Sequence, residues 1–553
     1  MLSSSTATGV ARAAVAGVQS PRVAIVVRGD RAALVERLHE ALPDATLVTL
    51  DASHGMDALH LALTAGRPWD LVLDVAAGKG AARRWPVLLN HVRRGGRLAL
   101  RLPGEPGPVT ESVAQVHEAK AAGAEPPTPG RDPRDNPDRD LAALAASVAD
   151  LAIDDGWLLA TSSTGTLAKV PEEDADGFLR ARPEAGRTLT TVPPLRFASR
   201  CVLRSSAPVR LPSEIDAPAV SVREYDDVTC LGRQAAYGAG FVLPESYRHP
   251  FKRRLRNVAF AEWAPRFVRE PQPPTARLEG PAYLLDSYVR GHFGHALTDQ
   301  VGHFWGWRVA LERHPDLRAL VFTKPGTSLA TWELDLLAAG GVDADRVVVA
   351  HEPTAVDTLV GSSPLFGMPA YVHPTIATTY AEVGTRLAGR ATAEGPSPRR
   401  LFCSRRPGKR SCHNATEVES LFAGHGFTVV FPEDHSLADQ VRMVREADVV
   451  AGFAGSGMFQ IALAGGPKHV VLVGSESYTA SNEYLISSVV GHRLDLVLCR
   501  PDVPKTGRRF DNASYQSDFT YDDAREGVFL RAVLAELSGH GEQPETSLGY
   551  GRT

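Results

Sequence analysis

The sequence predicts an α/β protein that contains three Rossmann-like units. Three stretches alternate β-rich runs with amphipathic helical runs, which is the pattern of a parallel sheet covered by helices: residues 21–101, 281–350 and 400–473. Hydrophobic residues make up 43% of the 553 residues and charged residues 22%, as in ordinary globular proteins. A chain of this length holds about two to four domains.

The first unit begins after Pro21 and predicts a doubly wound half-sheet. Its β-rich runs read VAIVV, TLVTL, DLVLDV and RLALRL. Because Asp51 ends the second run and GGRLAL forms the last, the unit resembles the core of class I methyltransferases. The first run, however, is followed by Arg28-Gly29-Asp30 and not by the G-x-G-x-x-G loop that lets a backbone approach a cofactor. We therefore expect an inactive unit with Asp51 as a strand-end cap or a surface charge. The resemblance leaves S-adenosylmethionine-dependent methyl transfer as an alternative.

Composition and pattern place the predicted domain boundaries. Pro103–Asp140 is rich in Pro, Gly and charge and lacks apolar periodicity, which predicts a disordered insertion or linker. The predicted division is a flexible tail over 1–20, a Rossmann-like domain over 21–206 with the insertion 103–140, a linker and small β-region over 207–275, two further Rossmann-like halves over 276–390 and 391–537, and a flexible tail over 538–553.

Two phosphate-compatible features follow predicted strands of the third unit. One strand leads into a cationic turn, and a later one leads into a glycine-rich turn that opens an apolar helix. Either feature alone is typical of a solvated loop or an ordinary turn. Open α/β sheets bind ligands at the carboxyl ends of their strands, and a diphosphate needs fixed cations and backbone N–H donors. The predicted donor-binding residues are the cations Arg405, Lys409 and Arg410 and the backbone donors Gly455, Ser456 and Gly457.

Several motifs between residues 221 and 499 resemble glycosyltransferase family 61. They are the GHFGHALTD turn, the run SRR-x-x-x-R, the strand GF-x-VV-x-PE and the run ADVV-x-G-x-x-GSG. The resemblance implies a GT-B-like pair of Rossmann-like domains, preceded here by the additional Rossmann-like domain. It implies an inverting hexosyl or pentosyl transferase that moves a sugar from a nucleotide-sugar donor to a glycan or other acceptor. It further implies a role in surface or capsular polysaccharide biosynthesis.

The GHFGH turn supplies candidates for the base that an inverting transfer requires. His295 carries an imidazole, which titrates near neutral pH, and Asp299 one helical turn later either orients it or is itself the base. His292 is expected on the acceptor side, although both histidines could simply cap the helix. In the resemblance, the loop after the strand HVVLV lies beside the donor, with Glu476, Tyr478 and Asn482. The chain departs from the family at Gly452-Phe453-Ala454, where a histidine usually precedes the Gly-Ser-Gly turn, so one donor contact is missing.

Charge and cysteine usage limit the classes of partner. A net charge of −4 gives no electrostatic footprint for nucleic acid, and no run is apolar enough to span a membrane. Five cysteines without paired spacing predict a cytoplasmic protein, with a peripheral position at the inner face of the membrane as an alternative. Three Asp-x-Asp triplets lie in polar loops, so we expect no metal and no cofactor beyond the donor substrate: Asp138/Asp140, Asp174/Asp176 and Asp343/Asp345. A non-catalytic nucleotide-sugar-binding module is a further alternative.

Overall fold

The computed structural model of the protein describes residues 6–539 except residues 77, 79, 131–137, 239, 506, 508 and 509. Its N-terminal sheet has six strands in the spatial order Thr46–Asp51, Arg22–Val27, Trp69–Asp74, Val92–Arg101, Trp157–Ser162 and Val148–Asp154. The first four strands are parallel, and Trp157–Ser162 is antiparallel to both of its neighbours. The accompanying helices are Ala7–Ala14, Ala32–Ala41, Gly55–Ala65, Ala81–Leu89, Gly107–Ala121 and Arg139–Ser147, with a 3₁₀ turn at Ala52–His54. The predicted Rossmann-like character of this unit is confirmed.

The central sheet has eleven strands, of which four form a parallel Rossmann-like part. These four are, in spatial order, Val347–Ala350, Arg318–Phe322, Ala276–Leu284 and Thr354–Ser362. Seven mainly antiparallel strands extend the sheet: Val220–Gly232, Gly186–Val192, Ala235–Gly238, Phe241–Val242, Thr166–Lys169, Phe267–Arg269 and Glu262–Ala264. Its α-helices are Glu172–Ala181, Phe293–His295, Phe304–Arg313, Thr331–Ala339 and Ile376–Ala388. Its 3₁₀ turns are Pro183–Ala185, Pro244–Ser246, Pro250–Lys252, Val301–His303 and Ala344–Arg346, and the strands Phe366–Gly367 and Tyr371–Val372 form a separate ladder.

The C-terminal sheet is the third Rossmann-like unit. Its parallel strands are, in spatial order, Val202–Ser205, Arg493–Pro501, His469–Ser475, Val449–Phe453, Arg400–Cys403 and Thr428–Val430, and Phe519–Thr520 adds an antiparallel edge. The α-helices are Ala415–Ala423, Leu437–Glu446, Asn482–Val490, Asn512–Tyr515 and Gly527–Gly539, and Pro432–Asp434 and Ser456–Leu463 are 3₁₀. Ser436 caps Leu437–Glu446, because its hydroxyl accepts the Asp439 N–H at 3.1 Å.

The central and C-terminal units share one hydrophobic core. Helix Ile376–Ala388 packs against both Leu437–Glu446 and Ser456–Leu463. Tyr380 of that helix belongs to a buried cluster that also contains Trp307 of the central unit. Both parallel sheets therefore hold their carboxyl edges in fixed positions beside one cleft. No described helix has the length and apolar character needed to cross a bilayer.

Two segments predicted as irregular contain helices. Ala7–Ala14 lies within the predicted flexible tail 1–20, and its Val10 and Ala11 are buried against the N-terminal unit. Gly107–Ala121 occupies part of the predicted insertion 103–140, because Val109, Val113 and Val116 form one apolar stripe that packs inward. Residues 131–137 of that insertion and 540–553 of the predicted C-terminal tail lie outside the described residues.

The predicted boundary at residue 206 also differs from the structure. Thr166–Lys169 and Gly186–Val192 belong to the central sheet and not to the first domain. Leu195–Ala198 pairs with Glu214–Ala217, and Val202–Ser205 forms the edge of the C-terminal sheet beside Arg493–Pro501. Short apolar runs carry no information about which sheet they join, so the sequence pattern could not assign these segments to the central and C-terminal sheets.

Candidate active site

A cleft of about 800 Å³ lies where the central and C-terminal units meet. The central unit lines it with the GHFGH turn and with a cationic segment at residues 248–256. The C-terminal unit contributes the loops that follow its strands. Of the residues singled out from the sequence, the lining includes His292, His295, Arg410, Ser456, Tyr478 and Asn482. Within the described part of the chain, it does not include Asp299, Arg405, Lys409, Gly455, Gly457 or Glu476.

The GHFGH turn holds His295 beside Asp299 with a definite hydrogen bond. Phe293–His295 is a short α-turn that runs directly into a π-helical turn at Ala296–Gln300, a form that is frequent at functional sites. The helix that the sequence predicts after the GHFGH turn is therefore present, and it begins irregularly. Nδ1 of His295 lies 2.7 Å from Oδ2 of Asp299. Because a carboxylate oxygen can only accept, Nδ1 carries the hydrogen and Nε2 is left with its lone pair.

His292 supports this turn from its N-terminal side. Its Nδ1 accepts the backbone N–H of His295 at 3.4 Å, and the two rings meet edge to face with centroids 4.8 Å apart. Burial lowers the pKa of His292, and the charges of His295 and Arg410 lower it further. The predicted capping role and a position in the cleft are therefore both realised by the same neutral imidazole.

The Gly-Ser-Gly turn lies directly against the GHFGH turn. A Cβ atom on Gly294 would stand 2.6 Å from Oγ of Ser456, so this close approach requires a glycine. Gly455 has φ of +141°, and a Cβ there would stand 3.3 Å from a guanidinium nitrogen of Arg405 and 3.7 Å from one of Arg410. The predicted phosphate-compatible turn and cationic turn therefore meet at Gly455.

Arg405 and Arg410 of the cationic turn have different positions. Arg410 lines the cleft, and its guanidinium carbon lies 4.7 Å from the ring centre of Tyr478 and 5.2 Å from that of Tyr515. Arg405 instead donates to the backbone carbonyls of Lys409, at 2.7 Å, and of Arg410. Burial, followed by the charge of Arg410, lowers the pKa of Arg405 to about 10. Arg405 therefore holds the loop that presents Arg410, and Lys409 is exposed outside the cleft.

Two glutamates after the strand His469–Ser475 also differ in position and in their partners. Glu476, predicted beside the donor, forms an ion pair with Arg525 and does not line the cleft. Glu483, which the sequence did not single out, is buried, and its Oε1 accepts the Gly455 N–H at 2.8 Å. The N–H of Gly455 is therefore engaged within the protein. The N–H groups of Ser456 and Gly457 open the 3₁₀ helix Ser456–Leu463, where no preceding turn supplies acceptors.

Replacing Glu483 with glutamine is expected to flatten the pH dependence of stability. Burial raises the pKa of Glu483 to about 7. Between the ordinary carboxyl pKa, about 4.3, and about 7, the folded protein retains a proton that the unfolded chain releases, so stability falls as pH rises through this window. Glu483→Gln keeps an oxygen acceptor for Gly455 but cannot titrate. Urea unfolding at about pH 5 and about pH 7 measures how far the free energy of unfolding falls between these pH values. The fall should be smaller in Glu483→Gln than in the parent by on the order of 2–3 kcal/mol.

The buried Glu245 contributes to the same pH dependence of stability, because burial raises its pKa to about 7 as well. The variant should therefore retain the share of the pH dependence that Glu245 contributes. If the two proteins lose the same stability between the two pH values, Glu483 does not titrate in this window.

Further cations line the cleft, most of them from the predicted linker and small β-region 207–275. The central unit contributes Arg248, Lys252, Arg254 and Arg256, and Lys505 comes from the C-terminal unit. The run RHPFKRRLR at residues 248–256 was a visible signal of positive charge. Its position in the cleft depends on the extension of the central sheet, which no local pattern predicts.

The acidic triplets do not come together with other metal-binding side chains. Among the described residues, no group of three or more His, Cys, Asp or Glu side chains has the arrangement of a metal site. Asp176 is instead held by Arg223 at 2.6 Å. In the N-terminal unit, Asp51 accepts the Ser53 N–H at 2.8 Å and so caps the 3₁₀ turn Ala52–His54.

The model of the glycosyltransferase 61 family matches residues 293–471. These residues are a glycosyltransferase 61 domain. The glycosyltransferase 61 domain contains the His295–Asp299 pair, the cationic turn with Arg405 and Arg410, and the Gly-Ser-Gly turn. The activity implies a donor and an acceptor substrate. His292, Glu483 and the cationic segment 248–256 lie outside the match. The resemblance predicted from the GHFGHALTD turn and the 400–457 block is thereby confirmed.

The similarity of the chain to whole proteins says little about its function beyond the family match. No curated protein matches the chain significantly. Among 22 solved chains that match is the MycE methyltransferase from the mycinamycin biosynthetic pathway, solved in complex with Mg, SAH and mycinamycin VI. The two share 15% identity and a TM-score of 0.21, over 26% of this chain and 42% of that one. This chain thus spans less than half the length of that methyltransferase.

Proposed function

We propose that this glycosyltransferase inverts at the transferred sugar and acts without a metal ion, taking the sugar from a nucleotide-sugar and passing it to a hydroxyl group. The observation that carries the proposal is the meeting of the His295–Asp299 pair with Arg410 and Ser456 across one cleft. The same proposal includes a GT-B arrangement, with the acceptor on the central unit and the donor on the C-terminal unit. It is supported by the carboxyl edges of both parallel sheets, which border the same cleft.

In the proposed reaction, the diphosphate is held from the C-terminal unit. Arg410 is aimed by its contacts with Tyr478 and Tyr515, and the first N–H groups of the helix Ser456–Leu463 are available to an anion. These fixed donors stabilise the negative charge that develops as the bond between the sugar and the diphosphate breaks. In other members of the family, a histidine before the Gly-Ser-Gly turn would contribute to the same stabilisation.

The acceptor hydroxyl is activated from the central unit. Nε2 of His295 takes the hydroxyl proton while the acceptor oxygen bonds to the anomeric carbon and the diphosphate departs from the opposite face. Asp299 stabilises the imidazolium through Nδ1. No cofactor other than the donor enters this scheme. We extend the proposal to a cytoplasmic step in surface or capsular polysaccharide assembly, at or near the inner face of the membrane.

Replacing Arg410 with glutamine is expected to weaken nucleoside diphosphate binding about 10- to 100-fold, the value of a lost hydrogen bond to a charged group. Calorimetric titration with UDP, GDP and CDP would identify the nucleotide and measure the change. Arg406→Gln is the matched control on the same turn, because Arg406 is exposed, pairs with Glu433 and Asp434 and lies outside the cleft. Its nucleotide Kd should stay within about twofold of the parent value.

The proposal fails at its donor site if none of the three nucleotides binds, or if Arg410→Gln binds as tightly as the parent. Tight binding without transfer to a broad panel of hydroxyl acceptors would instead identify a non-catalytic nucleotide-sugar-binding module. The N-terminal unit is tested in the same titration with S-adenosylmethionine, for which we expect no heat of binding.

A further inference from the structure

The cleft carries more positive charge than the proposed donor site uses. Among the residues that the structure describes, its lining includes six Arg or Lys side chains and one carboxylate: Arg248, Lys252, Arg254, Arg256, Arg410, Lys505 and Glu262. Glu262 is already engaged, since its two oxygens contact Nζ of Lys169 at 2.5 Å and the backbone N–H of Arg256 at 3.1 Å. The donor site in the proposed reaction needs only Arg410 and the Gly-Ser-Gly turn for the diphosphate of a nucleotide-sugar whose sugar is neutral.

Four of these cations belong to one ordered element, which we call the cationic hairpin (residues 248–256). Its backbone closes through bonds from Arg248 to Leu255 at 3.0 Å and from Arg254 to His249 at 3.2 Å. Leu255 is buried, and the phenol of Tyr288 donates to the backbone carbonyl of Arg256 at 2.7 Å. The cations are therefore presented by a built hairpin and are not carried on a solvated tail.

The cationic hairpin lies on the side of the cleft where the acceptor enters in the proposed reaction. It is anchored to the central unit through Tyr288, whose ring lies 4.5 Å from the guanidinium carbon of Arg248. Burial, followed by the charges of Arg248, Arg256 and Lys252, lowers the pKa of His249 to about 4, and the charge of Asp299 acts on it in the opposite direction. The hairpin therefore lies within electrostatic range of the His295–Asp299 pair, and its own histidine is neutral at physiological pH.

We propose that the cationic hairpin binds an anionic acceptor, a glycan that bears carboxylate or phosphate groups close to the hydroxyl that receives the sugar. This inference rests on the proposed function and adds to it the chemical class of the acceptor. Arginine matches both oxyanions, because its planar guanidinium forms two parallel hydrogen bonds with either one. Lys252 and Arg254 are exposed at the mouth of the cleft, where the charged units of an oligomer next to the reacting unit would lie.

The test measures binding of three oligomers to the full-length protein saturated with a nucleoside diphosphate, so that the donor site is filled. The probes are a galacturonate hexamer, a glycerol phosphate hexamer and neutral maltohexaose. We expect at least one anionic hexamer to bind about tenfold or more tightly than the neutral one at about 50 mM salt, and to lose this preference at about 500 mM salt. A preference for galacturonate identifies carboxylate as the source of the charge, and a preference for glycerol phosphate identifies phosphate.

The double variant Lys252→Gln/Arg254→Gln should weaken the preferred anionic hexamer about 10- to 100-fold and maltohexaose about twofold or less. Arg37→Gln/Arg94→Gln is the matched control, because it removes the same charge from exposed positions of the N-terminal unit; the hexamer should bind it as it binds the parent.

Three results would overturn the inference. The first is equal binding of charged and neutral hexamers, and the second is an unchanged anionic Kd in Lys252→Gln/Arg254→Gln. The third is an anionic hexamer that binds the free protein but is displaced when the nucleoside diphosphate saturates it. Such competition would place the hexamer in the donor site. Failure of the proposed function is separate, because it appears as absent nucleotide binding or as insensitivity of that binding to Arg410→Gln.

Discussion

Replacing His295 with alanine is expected to lower the rate of sugar transfer about 10³-fold, the usual contribution of a positioned general base. The bond from Nδ1 to Asp299 leaves Nε2 as the atom that accepts the acceptor proton. Because the arginine and the backbone donors at the donor site are untouched, the Kd for the nucleoside diphosphate should change by about twofold or less. Added imidazole should restore part of the rate, since it supplies the missing base in the vacated space.

His435→Ala is the matched control for this substitution. His435 is exposed on the C-terminal unit outside the cleft, so its loss should leave the transfer rate unchanged. Asp299→Asn separates the two candidates for the base. If His295→Ala keeps transfer within about tenfold of the parent while Asp299→Asn loses about 10³-fold, the carboxylate is the base and the role assigned to His295 is wrong.

The sequence predicted the parts of the site that are fixed by strand order. The cationic turn and the Gly-Ser-Gly turn follow neighbouring parallel strands, Arg400–Cys403 and Val449–Phe453, so their loops had to meet at one edge. The GHFGH turn follows Ala276–Leu284 of the other parallel sheet, and the family resemblance placed it opposite. The positions of the cationic turn and the Gly-Ser-Gly turn needed only the alternation of strands and helices and the direction of the chain.

The roles of individual side chains could not be predicted in the same way. Arg405 and Arg410 share one short turn, yet φ of +59° at Arg410 helps to direct one guanidinium into the cleft while the other binds backbone carbonyls. Glu476 and Glu483 both follow the strand His469–Ser475, but Glu483 lies in the first turn of helix Asn482–Val490, where its carboxylate accepts the Gly455 N–H. Such differences arise from tertiary contacts, which leave no periodic signal in a single sequence.

Replacing Gly294 with alanine is expected to lower transfer about 10²-fold, because it forces apart the two turns that form the site. The added Cβ would stand 2.6 Å from Oγ and 2.9 Å from Cβ of Ser456, and 3.0 Å from the ring of Phe459. Overpacking of this kind costs about 1–3 kcal/mol, and displacement of reacting groups by about 1 Å is enough for a loss of this size. Initial rates and thermal unfolding would measure both effects.

A second substitution distinguishes this steric effect from general damage. Ser456→Gly removes the two closest atoms but retains the backbone N–H, so Gly294→Ala/Ser456→Gly should recover at least about tenfold of the lost rate. Gly389→Ala is the control, because its Cβ would meet only ordinary contacts of 3.5 Å or more. A double variant no more active than Gly294→Ala would mean that the GHFGH and Gly-Ser-Gly turns do not act as one packed unit. The close contact between the central and C-terminal units would then be a feature of the fold alone, and the registration of base and diphosphate would have to come from the shared core around helix Ile376–Ala388.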